Sequence, residues 1–170
     1  MRARQLPACP SKNEKTSAAA QAVAVLAIPL GGHHMNLEKY RHQHSDILKS
    51  IQALRELSRL GIAEKAAEIA QCVIAMSSVI KLHLSVEDRY LYPELQKSGN
   101  RRLASMGAQY QSEMQKIASA YIGFAARWNE ASKLARDPEG FRREANQVLK
   151  VLFERIRREN QDFYPAIERG

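Results

Sequence analysis

An all-α fold, an up-down-up-down four-helix bundle behind an N-terminal extension, is what this sequence predicts. Three observations carry it. No segment alternates polar and apolar residues for long, and helix formers dominate. Apolar residues instead recur with helical period in four long stretches, separated by short breaks at Gly61, Ser98–Asn100 and Asp137–Gly140. At 170 residues and 45% apolar content, the chain is long enough to bury one core without staples. Four amphipathic helices with short connections pack by default as neighbours in such a bundle.

Residues 1–34 differ from the rest. MRARQLPACPSKNEK is polar and basic, and SAAAQAVAVLAIPLGG is apolar and rich in small residues, an order that imitates a secretory signal. Gln21 and Pro29 interrupt the apolar run, which is too short to span a bilayer. A cleaved signal, a tail and an upstream extension before a start at Met35 compete. The tail or extension is the expectation, because Met35 begins a complete helical domain, 35–170. His33 and His34, flanked by glycine, are expected at the surface rather than as ligands.

The first helix is predicted from Asn36, an N-cap residue, to Gly61, with Tyr40, His44, Ile47, Ile51 and Leu54 facing inward. The second follows Gly61 and carries Ile69, Val73, Met76, Ile80, His83, Glu87 and Tyr90 on one face. Pro93 kinks or ends it, and Ser98–Asn100 make the turn. The third presents Met106, Tyr110, Met114, Ile117, Tyr121, Phe124 and Trp128. Asp137 as N-cap and Pro138 at the first helical position open the fourth, which places Phe141, Ala145, Val148, Leu152, Arg155, Glu159 and Phe163 inward.

The formal charge of +8 permits weak attraction to anionic partners. No Gly-rich phosphate loop, aromatic RNA-binding pattern or finger spacing accompanies it, so neither a nucleic-acid nor a membrane partner is expected, and the charge reads as a solvated basic surface. Cys9 and Cys72 lie far apart with no CxxC or Cys/His spacing. A structural disulfide or thiolate zinc site is not expected, Cys72 reads as a small core residue, and a reducing cytoplasm fits; the signal-like segment keeps export open.

Polar residues at core phases carry the functional argument. His44, His83, Glu87, Tyr110, Arg155 and Glu159 all occupy slots where the helical period calls for a hydrophobe. Buried without partners, such groups cost several kcal/mol, so they must satisfy one another or bind an ion. His83 and Glu87 are i and i+4 on one helix face, and a histidine from a neighbouring helix can converge with them on one cation. Singly, each has a plainer role: a hydrogen-bonded core histidine, a packed tyrosine, an i,i+4 ion pair.

HLSVEDRYLYPEL (83–95) and RIRRENQDFYPAI (155–167) superpose, Glu87 on Glu159, Tyr92 on Tyr164 and Pro93 on Pro165, but His83 falls on Arg155. With His44 in HSDIL, these motifs resemble the hemerythrin-like (HHE cation-binding) family over residues 36–168. The resemblance implies a four-helix bundle holding a non-haem di-iron centre, used in oxygen binding, oxygen or nitric oxide sensing, peroxide handling or iron sensing. It implies metal ligation by His44, His83, Glu87 and Glu159. The family's third-helix histidine is matched by Tyr110 and its fourth-helix histidine by Arg155, so the second ion's place has lost both histidines.

One ion held by two nitrogens and carboxylate oxygens is therefore the expectation, iron first, with zinc or manganese also suited to the donors and a di-iron centre as the alternative count. Arg155 would stand in for the second cation, pairing with Glu87 and Glu159. The expected role is sensing, redox defence or metal handling, with a diatomic ligand or peroxide as partner. Weak oxygen or peroxide chemistry is compatible with it; a dedicated enzyme is not expected. The competing reading is a metal-free regulatory interaction module with a protein partner, built around a buried Arg155–glutamate network.

Overall fold

The computed structural model describes residues 35–170. Expectations about the tail, including its signal-like order, His33, His34 and the pairing of Cys9, lie outside the described residues. Every regular element among the described residues is helical: α1 (Glu38–Arg59), α2 (Ala66–Val86), α3 (Tyr92–Lys97), α4 (Arg101–Arg127), α5 (Ala131–Arg136), α6 (Pro138–Arg158) and α7 (Tyr164–Glu168). The four long ones are those the sequence predicts. α1 packs on α2, α4 on α6, and α2 and α1 meet α4 and α6 across the core.

The ends follow local chemistry. Asn36 Oδ1 accepts from the Glu38 backbone N–H at 3.0 Å, just ahead of α1. Gly61 leaves α1 at φ +111°, where a side chain would be strained. Asn100 caps α4 by accepting from the N–H groups of Arg102 and Leu103. Asp137 caps α6 through the Gly140 N–H at 2.8 Å, with Pro138 following it. The short α5 was not foreseen.

Helix two departs from its predicted end. Pro93 neither stops nor sharply interrupts it; the chain continues through a π turn, Glu87–Leu91, into α3. The Tyr92 N–H bonds back to the Glu87 carbonyl, five residues earlier. Widening the coil by one residue makes room for a proline, whose ring clashes with the carbonyl four residues back in a regular helix. The extra residue also shifts the phase. Tyr90, expected inward, is 52% exposed, and Leu91 takes its place in the core at 0%. The same device recurs ahead of Pro165: a π turn, Glu159–Phe163, closed by the Tyr164 N–H to the Glu159 carbonyl.

Two apolar clusters fill the interior. One gathers Ile47, Ile51, Val73, Met76, Tyr121, Phe124, Phe141 and Leu152, with Cys72 fully buried among them. The other, at the end carrying both π turns, gathers Tyr40, Leu91, Tyr92, Phe163 and Tyr164. Between Ile47 and Tyr40, Ile80 and Leu91, Leu152 and Phe163 lie His44, His83 and Arg155, which with Glu87 and Glu159 are fully buried. The stretch Ala66–Lys97 is long and apolar enough to cross a membrane by length and composition. Its Ile69, Val73, Met76 and Ile80 are nonetheless buried against other helices, as in a core helix.

Candidate metal centre

His44, on α1, and His83, on α2, come together because each continues an apolar stripe that packs on the other helix. Their Nε2 atoms face each other at 3.1 Å. Each ring is held from behind by a side-chain amide: His44 Nδ1 lies 2.8 Å from Asn160 Oδ1, and His83 Nδ1 lies 3.1 Å from Gln43 Oε1. An amide oxygen only accepts, so each Nδ1 carries a hydrogen, and a ring with no second proton then presents the lone pair of its Nε2 to the other ring.

Glu159 completes a cluster with them. Its Oε2 lies 3.2 Å from His44 Nε2, and is the one buried side-chain oxygen among the described residues without a hydrogen bond. His44, His83 and Glu159 each bring a ligand atom to within 4.8 Å of the others. Three buried lone-pair atoms this close repel unless something positive lies among them. A proton serves one such pair; a metal ion serves all three. With metal–ligand bonds of about 2.0–2.2 Å, adjacent donors in a tetrahedral or octahedral shell stand roughly 2.8–3.6 Å apart. The separations from His44 Nε2 fall in that range, and the donor set fits a divalent ion.

The electrostatics agree. Burial, reinforced by neighbouring His44, pushes the His83 imidazolium down to about 3, so the ring is neutral and able to ligate. Burial pulls Glu159 upward, but a hydrogen bond from His44, made when its Nε2 carries a proton in the place an ion would take, and the Arg155 charge outweigh it and hold the carboxyl below its ordinary value. Glu87 goes the other way: burial first, then the nearby Glu159 charge, raise it well above the usual carboxyl range.

Glu87 lies at the same centre but is differently engaged. Its Oε2 is 3.6 Å from His83 Nε2 and accepts from the Tyr92 hydroxyl at 3.1 Å, while Oε1 accepts from the Tyr164 hydroxyl at 3.0 Å. It stands one step behind the three convergent donors.

Arg155 sits beside this layer, fully buried. Its Nε donates to Glu159 Oε1 at 2.7 Å, Nη2 to the Tyr110 carbonyl at 2.8 Å and Nη1 to Glu113 Oε2 at 3.3 Å. The pairing with Glu159 is as expected; the second carboxylate is Glu113 rather than Glu87. Glu113 is shared with Arg158 at 2.8 Å. Tyr110 contributes its carbonyl and its ring face, which lies 4.2 Å from the Arg155 guanidinium and stacks on Phe163 at 4.3 Å.

Sequence reading missed Gln43, Asn160, Glu113, Tyr92 and Tyr164. A signal existed for most of them. Gln43 and Asn160 adjoin the candidate ligands His44 and Glu159, and the two tyrosines sit in the repeated Tyr-Pro pairs.

A family model for the hemerythrin HHE cation binding domain matches residues 35–167. Searches of curated proteins and of solved structures returned no match. Both the ligand geometry and this match, which spans more than half the sequence, lead to one assignment: the chain belongs to the hemerythrin HHE cation-binding family.

Proposed function

We propose that this protein holds a single non-haem metal ion, iron in the first place, in an up-down-up-down bundle, and uses it to sense or handle a diatomic gas, peroxide or the metal itself. The observation that carries the reading is the convergence of His44 Nε2, His83 Nε2 and the unbonded Glu159 Oε2 in one buried cluster. His44, His83 and Glu159 would hold the ion, with Glu87 adjoining. A bound iron would supply redox and ligand-binding chemistry there.

The residues of this chain do the rest. Gln43 and Asn160 fix both rings in the ligating tautomer. Arg155 places a permanent positive charge against Glu159 Oε1. That guanidinium supports a count of one ion, since it would repel a second cation beside the first.

A metal-free interaction module is the second reading. What favours it is the completeness of the Arg155 network, whose three contacts run to Glu159, Tyr110 and Glu113. Elemental analysis of untagged protein, expressed in iron-supplemented and in minimal medium, separates the two. About one ion per chain supports the metal reading and names the metal. Absence of metal under both conditions moves the assignment to the regulatory bundle.

A further inference from the structure

The repeat that relates α2 to α6 makes a prediction that the structure breaks. Tyr92 closes the first π turn and returns its hydroxyl to the glutamate that opens the same turn, Glu87, at 3.1 Å. By analogy Tyr164, which closes the second π turn, should return to Glu159. It crosses the layer instead and donates to Glu87 Oε1 at 3.0 Å. The reason is that Glu159 is already committed, Oε1 to Arg155 and Oε2 facing His44.

That displacement puts the Tyr164 oxygen among the donors. It lies 3.4 Å from His44 Nε2, and the two rings run side by side, with planes 11° apart and centroids 5.3 Å apart. Parallel rings presenting their heteroatoms at one end is the disposition of two ligands on one ion. His44 Nε2 thus has three neighbours, His83 Nε2 at 3.1 Å, Glu159 Oε2 at 3.2 Å and Tyr164 Oη at 3.4 Å, all at the spacing of adjacent donors in a coordination shell. Tyr164 is fully buried, so no solvent competes for the position.

We propose that Tyr164 is a ligand of the metal: the site is built from two imidazoles, the Glu159 carboxylate and a phenolate, and it favours ferric iron. The proposal rests on the metal-binding reading above. Glu87 then has a distinct task. With Glu87 ionised, as its two accepted hydrogen bonds require, the phenol proton passes to Glu87 Oε1 when the phenol oxygen bonds the ion, so the buried layer stays balanced. Tyr92 keeps that carboxyl oriented from its other oxygen. A phenolate is a hard anionic donor that stabilises Fe(III) over Fe(II), which distinguishes this centre from one made of imidazole and carboxylate alone.

The test is spectroscopic. Iron-loaded, air-oxidised protein should show an intense visible phenolate-to-iron charge-transfer band, with tyrosine ring modes enhanced in resonance Raman and shifted by ring-deuterated tyrosine. Tyr164→Phe should lose the band, while Tyr92→Phe and Tyr110→Phe keep it. Should Tyr164→Phe fail to fold, the isotope shift in the wild type and retention of the band in those two variants and in Tyr40→Phe still assign the phenolate to the hydroxyl beside His44. A wild type that binds iron without the band, or a Tyr164→Phe that retains it, overturns the ligand assignment and leaves the metal reading standing. Protein that takes up no iron overturns both.

Discussion

His44 and His83, on neighbouring helices, turn their Nε2 atoms to 3.1 Å from each other, each pinned from behind by an amide oxygen. Histidines hydrogen-bonded to each other would instead need an Nε2–H on one of the two rings. Here both outward N–H groups go to Asn160 and Gln43, which leaves the two inward nitrogens to face a shared ion.

The amides are therefore expected to matter for metal binding although neither touches the ion. Gln43→Leu and Asn160→Leu should each weaken metal affinity by about 10–100-fold, the usual cost of losing a partner that orients a ligand. His83→Ala should abolish binding altogether. Competition titration with a chromophoric chelator measures all three, and equal affinities for wild type and Gln43→Leu would contradict the role given to that amide.

Arg155→Met tests the buried charge layer. Glu159 keeps its place but loses the cation at 2.7 Å, and stranding a buried carboxylate costs about 3–5 kcal/mol. Adding Glu159→Gln should recover much of that loss. Urea unfolding of the metal-free proteins reads both effects; a single variant as stable as wild type would mean that Glu159 finds another partner.

Arg155→His combined with Tyr110→His puts imidazoles at the two positions that the family resemblance matches to its third- and fourth-helix histidines. Metal content should rise from one toward two ions per chain by elemental analysis. A count that stays at one would show that Tyr110, whose ring and carbonyl here serve Arg155, does not occupy the position of the third-helix histidine.

Acid should destabilise the metal-free fold through His83. The ring is held at about 3 in the folded protein, chiefly by burial, against an ordinary value near 6.5. Between those values the unfolded chain binds the extra proton. The contribution is thus fully present above about 6.5 and is lost as pH falls toward 3, by up to roughly 5 kcal/mol. Glu87, raised by burial, works in the opposite sense, so the informative quantity is a difference. Stability should fall more steeply between pH 6.5 and 4 in wild type than in His83→Leu, and parallel curves would refute the assignment.

Much of this was legible in sequence because helical periodicity reports burial directly. His44, His83, Glu87, Arg155 and Glu159 were placed inward from phase alone, and all five are fully buried. Phase fails where the period changes, and nothing in EDRYL announces an inserted residue except the proline beyond it. Hence Tyr90 was put in the core in place of Leu91. Contacts between helices far apart in sequence were less accessible. That Arg155 reaches Glu113, and Tyr164 reaches Glu87 rather than Glu159, depends on how side chains divide a shared space once some positions are taken. The amides escaped notice because Gln43 and Asn160, only partly buried, lie off the apolar stripes.

The complete burial of His44, His83 and Glu159 bears on rates as well as equilibria. An ion held among three inaccessible donors would exchange with solvent only as fast as the surrounding helices part. Affinity and exchange speed are then separate properties. Metal acquired while the chain folds would stay for as long as the fold does, and the occupant found in purified protein would be a record of the ions available at synthesis rather than of those in the final buffer.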